Sequence, residues 1–232
     1  MKIIKENIAN IKEELDRVAT SAGRDKGEVL LVAVTKTRTA EEINEAIAAG
    51  ITDIGENKVQ EILDKYEDVR HVNWHMIGHL QTNKVKYIID KVQMIHSVDS
   101  YKLAKEINKR AQQKNIIMDV LIQVNAADEE SKFGVSIGDA EQLVRDILDS
   151  FPNIRIKGLM NIAPYAEDPE DVRVYFKKMK ELYDRFSEIN HENLDFQYLS
   201  MGMSHDYKAA ILEGSNLVRI GTAIFGERDY SK

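Results

Sequence analysis

The chain of 232 residues has no cysteine, which excludes disulfides and thiolate metal ligands and suits a reducing compartment such as the cytoplasm. It also has no long apolar run at its start. MKIIKENIANIKEELDRVA is charged throughout, so this stretch reads as neither a secretory leader nor a membrane span. Charge of one sign is nowhere concentrated: 39 acidic and 32 basic residues are interspersed and give a net charge of -7. That leaves no basic face for nucleic acid and no polybasic patch for a membrane surface. The expected partner is therefore small, and the expected location cytoplasmic. No low-complexity linker or shift of composition divides the chain, so residues 1–232 are expected to form one domain that buries its core without outside staples.

What is present is a repeating alternation. Ile4, Ile8, Ile11, Leu15 and Val18 fall at helical spacing and predict an amphipathic N-terminal helix over residues 1–23. Val29 to Val34 then gives six apolar residues in succession, rich in β-branched side chains and too short for an ordinary helix, which predicts a strand covered on both faces. Thr39-Ala-Glu-Glu42 follows as a capping box, with Ile43, Ala46 and Ile47 as the helix stripe and Gly50 as its stop. Further strands are predicted at 52–57, 72–78, 94–98, 116–124, 154–162, 196–200 and 217–226, with helical stripes between them. Asp168-Pro169-Glu170-Asp171 marks one helix start, and Ser204 is read as opening another that runs to Gly214. Eight strands alternating with helices predict an α/β fold, a (β/α)8 TIM-type barrel with an extra N-terminal helix. An open doubly wound sheet would usually carry GxGxxG after its first strand, and VTKTRTAEE has none.

In such a barrel the loops after the strands' C-terminal ends gather on one face. The candidates there are Lys36, Asn57, His79, Asn125, Asn161, the turn from Ser200 to Ser204 with Gly202, and the run Arg219, Ile220, Gly221, Thr222. The last two lie at the ends of the final pair of strands, where backbone N–H groups at small residues suit a phosphate. Lys36 leaves the most apolar strand of the chain, and a desolvated lysine loses its proton more readily and condenses with aldehydes. Two readings stay open on this chemistry: a class I aldolase for a sugar phosphate, or a protein holding pyridoxal phosphate through Lys36. Other clusters read as structural. His71, His75 and His79 recur every four residues, a metal spacing that converges on a helix but not on the strand read here, so no metal is expected. Asp128-Glu129-Glu130 lacks the twelve-residue calcium pattern, and Met201 and Met203 read as core filler.

The segments LVAVTKTRTAEEINEAIAAGITDIGENKVQE, NWHMIGHLQTNKVK, HSVDS, ESKFGV, GLMNIAP, SMGMSHDYKAAI and VRIGTAIFGER together resemble the pyridoxal phosphate homeostasis protein family, in order from about residue 29 to 228. That family is itself similar to the barrel domain of alanine racemases. The resemblance implies pyridoxal 5'-phosphate held as a Schiff base on Lys36. It implies Ser200, Gly202, Gly221 and Thr222 at the phosphate, Arg219 facing the pyridine nitrogen, Asn57 and His79 near the cofactor, and Asn161 as a further contact.

The resemblance implies a role in intracellular vitamin B6 homeostasis, and two expectations follow about chemistry. An arginine at the pyridine nitrogen disfavours ring protonation and so weakens carbanion stabilisation. In the related racemases a second base is a tyrosine of an additional C-terminal β-domain, whereas only ERDYSK follows here and Tyr230 reads as a tail residue. A non-catalytic carrier is expected, a monomer that captures pyridoxal phosphate and passes it to other amines or to apo-enzymes. A low-activity amino-acid racemase is the alternative.

Overall fold

A computed structural model of the chain describes residues 2–129 and 132–227, so Glu130 and Tyr230 lie outside the described residues. Its strands are β1 Leu30–Val34, β2 Asp53–Glu56, β3 Asn73–Met76, β4 Met94–Val98, β5 Met118–Asn125, β6 Val135–Ser136, β7 Ile154–Met160, β8 Leu194–Met203 and β9 Leu217–Ile220. The order β4-β3-β2-β1-β9-β8-β7-β5 closes through a β4–β5 pairing, and every pairing is parallel. This is the expected eight-stranded (β/α)8 barrel. The two-residue β6 is an addition that pairs with the end of β5 inside the long loop.

Helices α1 Lys2–Ser21, α2 Ala40–Ala48, α3 Val59–Lys65, α4 Tyr101–Lys114, α5 Ile137–Ser150, α6 Arg173–Ser187, α7 Tyr207–Leu212 and α8 Thr222–Phe225 surround the strands. Local signals start several of them. Thr39 and Glu42 close the capping box of α2, and the hydroxyls of Ser100 and Ser136 accept the N–H groups of Leu103 and Asp139 at the starts of α4 and α5. The stripe Ile8, Ile11, Leu15, Val18 of α1 is buried, and this helix packs against α2, α7 and α8.

Three elements depart from the sequence reading. The run 217–226 is not one strand: β9 stops at Ile220, and Phe225 N–H returns to the Gly221 carbonyl at 3.0 Å to make the short α8. A helical turn lets α8 meet α1, where Asn7 Nδ2 donates to the Ile224 carbonyl at 2.9 Å. Ser204 does not open α7, because β8 continues to Met203 and Asp206 occupies the cap position. The stripe at Val85, Ile88 and Ile89 begins as a 3-10 turn over Thr82–Tyr87.

Alternation along the strands divides the side chains into two sets. Leu31, Ala33, Ile54, Ile95 and Met201 join the large core between barrel and helices, while Met94, Leu121 and Met160 form a separate small cluster within the lumen. Continuing the alternation of β1 sends Thr35 to the outside and Lys36 to the lumen side. Closure also strains one position: the β7 ladder slips register between Ile156 and Gly158, Gly158 has φ of 144°, and a Cβ there would overlap the Tyr198 carbonyl oxygen. Gly158→Ala is accordingly expected to cost at least about 3 kcal/mol in urea unfolding; a loss within the ordinary surface range would contradict this account of the slip.

Candidate functional site at the barrel mouth

Lys36 is held through its two neighbours. The buried Thr35 donates its hydroxyl to Glu56 Oε1 at 2.7 Å and its N–H to the Gly55 carbonyl at 3.0 Å. Lys65 of α3 bridges the Thr35 carbonyl at 3.0 Å, Glu56 Oε1 at 2.8 Å and Glu61 Oε2 at 2.8 Å. Glu61 in turn accepts the Thr37 N–H at 2.6 Å. Thr37 has φ of 65°, a left-handed conformation that a β-branched residue keeps only when its surroundings impose it. Both peptide flanks of Lys36 are thus tied to α3 on the outside of the barrel. Burial raises the pKa of Glu56 against the opposing pull of Lys65; Glu61, also raised by burial, ends below its usual range through its bonds to Lys65 and Thr37.

Arg219 lies inside, 3% exposed, with Nη1 donating to Ser200 Oγ at 2.6 Å and Nη2 to the Asn161 carbonyl at 2.8 Å. Burial brings its pKa down to about 10, with the charge of Asp206 opposing, so the guanidinium stays charged at neutral pH. Ser200 Oγ also meets His96 Nδ1 at 3.3 Å. The Ser200 hydroxyl is therefore engaged by both Arg219 and His96.

The serine at the meeting of the last two loops is Ser204. Its hydroxyl accepts the Gly221 N–H at 3.3 Å, and Asp206 Oδ1 accepts the Met203 N–H at 2.6 Å, which folds the 203–206 segment toward β9. Gly202 has φ of 94° and a Cβ there would stand 2.7 Å from Ala210 Cβ, so only glycine lets β8 turn this close to α7. A Cβ on Gly221 would stand 3.1 Å from the Val34 carbonyl oxygen, which keeps this loop tight against β1 two residues before Lys36. Thr222 follows as the first residue of α8. Sequence reasoning named the Ser200 to Ser204 turn and took Ser200 from it, without singling out the Ser204 hydroxyl that reaches Gly221; the glycine between the serines was the available signal for a change of direction.

The remaining candidates divide. Asn57 and His79 share the lining of a cleft of about 320 Å³ on the β2 and β3 side of Lys36. His79 is exposed and stacks on Phe133 with ring centroids 3.9 Å apart. Asn125 is a loop clamp, donating to the Glu129 carbonyl at 2.9 Å and accepting its N–H at 3.3 Å. Asn161 is buried and donates to the Val124 carbonyl at 2.9 Å. Its Oδ1 is buried without a hydrogen-bond partner among the described residues, while its main-chain carbonyl accepts from Arg219. Of the three histidines His75 is buried in the barrel while His71 and His79 are exposed at opposite ends of β3. Met201 fills the core as expected, but Met203 is 38% exposed because the register shift after Ser200 turns it off the core face.

These residues suit a phosphorylated pyridine aldehyde. Lys36 follows β1 on the lumen side, a buried guanidinium and an amide oxygen without a partner among the described residues lie in the barrel, and Ser204 joins two glycine-bearing loops, one of them packed on Val34 of β1.

A barrel of this kind with a lysine after its first strand defines a class. The chain belongs to the family described as alanine racemase, N-terminal domain, which matches residues 7–229. Within it the chain belongs with the pyridoxal phosphate homeostasis proteins. It is 47% identical over 228 residues to the protein of that name from Aquifex aeolicus, covering 97% of this chain and 98% of that one. Among solved structures it is similar to a protein of unknown function from Bifidobacterium adolescentis, with TM-score 0.90 and 35% identity over 97% of this chain and 95% of that one. It is also similar to PipY of Synechococcus elongatus PCC7942, solved with PLP bound, with TM-score 0.82 and 29% identity over 96% of this chain and 100% of that one. No helix among the described residues is long and apolar enough to cross a membrane.

The clamp has an energetic signature. Glu56 is fully buried, so Lys65→Met should leave it uncompensated and cost about 3–5 kcal/mol in urea unfolding. Adding Glu56→Gln should restore part of the loss. A cost below about 1 kcal/mol for the single variant would mean the pair does not hold the loop.

Proposed function

We propose that this protein binds pyridoxal 5'-phosphate at the barrel mouth, with Lys36 as its covalent attachment point, and buffers or delivers it within the cell. When bound, the cofactor supplies an aldehyde that condenses with amines. The observation that carries the reading is the pairing of a lysine clamped at the exit of β1 with a charged guanidinium buried in the lumen. The relative from Aquifex aeolicus, named for pyridoxal phosphate homeostasis, and the PLP-bound PipY support it.

Each side chain then has a task. Lys36 contributes the nucleophilic nitrogen, and the Thr35 and Thr37 clamps orient it. Ser204, Gly202, Gly221 and Thr222 receive the phosphate, with the Gly221 N–H and the hydroxyls as donors. Arg219 donates to the pyridine nitrogen. Because its proton is held up to about pH 10, that nitrogen gains a hydrogen bond and no proton, which leaves the ring a weak electron sink. Asn161, Asn57 and His79 border the ring. Weak carbanion stabilisation at this site favours holding and release over amino-acid chemistry. The recipients are amines of apo-enzymes, and the carrier works as a monomer of one domain in the cytoplasm.

Incubation of the purified protein with pyridoxal phosphate is expected to give a visible absorption band that collapses on borohydride reduction. Peptide mass analysis should find the pyridoxyl mass on Lys36, and Lys36→Ala should remain unlabelled. A protein that stays colourless and unlabelled, or that carries the label on another lysine, contradicts the proposal.

A further inference from the structure

Five polar side chains cross the lumen in one unbroken line. Arg219 Nη1 meets Ser200 Oγ at 2.6 Å, Ser200 Oγ meets His96 Nδ1 at 3.3 Å, His96 Nε2 meets His75 Nδ1 at 2.9 Å, and His75 Nε2 meets Asp53 Oδ1 at 2.9 Å. Asp53, His75 and His96 stand on β2, β3 and β4, whereas Ser200 and Arg219 stand on β8 and β9, so the link from His96 to Ser200 spans the barrel. All five residues are buried. Asp53 is fixed further by Thr52 Oγ1 at 2.7 Å and Asn73 Nδ2 at 3.1 Å.

The ends of the line decide its direction. A guanidinium only donates and a carboxylate only accepts. With Arg219 donating to Ser200, the serine's own hydrogen is available to His96 Nδ1. Burial, with the neighbouring charge of Arg219 adding to it, holds His96 well below the usual imidazole range, so it is neutral and carries one ring hydrogen. That hydrogen is then on Nε2 and goes to His75 Nδ1, which leaves the His75 hydrogen on Nε2, facing Asp53. Reversing the histidine links without adding a proton would turn an imidazole lone pair toward the carboxylate, an unpaired contact that burial makes costly.

We propose that Asp53, His75 and His96 are positioning residues for the cofactor end of the barrel. They commit the Ser200 hydrogen to His96, so that a serine lone pair always faces Arg219 and the guanidinium keeps one orientation between Ser200 and Asn161. The part of this inference that concerns the cofactor rests on the proposed function above; the hydrogen-bond direction does not.

The direction is tested first on the cofactor-free protein by long-range proton–nitrogen NMR of its histidines, assigned by single substitutions. Both His75 and His96 should carry a hydrogen on Nε2 and none on Nδ1. A hydrogen on Nδ1 of either ring would overturn the chain. The positioning role is tested with His75→Leu and His75→Gln loaded with pyridoxal phosphate, since Gln can still accept from one neighbour and donate to the other. His75→Leu should shift the visible band and speed loss of the cofactor to excess hydroxylamine roughly tenfold, the scale typical of orienting groups behind a binding shell. His75→Gln should restore most of both, and thermal midpoints should not track the spectral change. An unshifted band and unchanged loss in the Leu variant, or a Gln variant no better than Leu, would overturn the positioning role. If wild-type protein takes up no pyridoxal phosphate, the functional reading and the cofactor part fail together, while the tautomers still decide the direction.

Discussion

A positive charge buried in the lumen is the constraint around which the mouth of this barrel is built. Among the described residues no carboxylate contacts Arg219; its named acceptors are a serine hydroxyl and a main-chain carbonyl, with the field of Asp206 beyond them. Holding a cation under those conditions is expensive unless its geometry is fixed and its remaining surroundings are polar. Ser200, Asn161, His96 and the end of β9 meet that requirement together. Since β9 pairs with β1, the strand that carries the arginine also lies beside the one that delivers Lys36.

The second half of the site is held from outside. Strand alternation sends Thr35 toward α3 and the lysine inward, so the Glu56–Lys65–Glu61 cluster grips main-chain and hydroxyl groups of the loop while the lumen side is left for the amine. A site assembled this way needs its helix layer. Loosening α3 would move the lysine without touching any group in the lumen.

The eight strands were legible because a parallel barrel buries both faces of each strand, which writes runs such as Leu30–Val34 and Met118–Val124 directly into the sequence. The capping box at Thr39 and the mouth residues Lys36, Gly202, Arg219 and Gly221 were legible for the same reason: their distance from a strand end is short. Segments of four residues were not. Apolar Ala223, Ile224 and Phe225 suit a strand or a helix turn equally, and contact with α1 decides between them. The outer clamp left one readable trace, the four-residue spacing of Glu61 and Lys65, which is common on exposed helices. The lumen chain left less. Asp53, His75 and His96 lie about twenty residues apart, on three successive strands, and only barrel closure brings them to Ser200. The different partners of the Ser200 and Ser204 hydroxyls depend on a register shift that no residue pattern announces.

A crystal structure of the protein after soaking with pyridoxal phosphate tests the central claim most directly. The account predicts continuous density from Lys36, the phosphate between Ser204 and the Gly221–Thr222 turn, and the ring nitrogen within hydrogen-bond reach of Arg219. Phosphate bound at Ser200, a ring nitrogen turned away from Arg219, or a ligand in a cleft apart from the barrel mouth would contradict it.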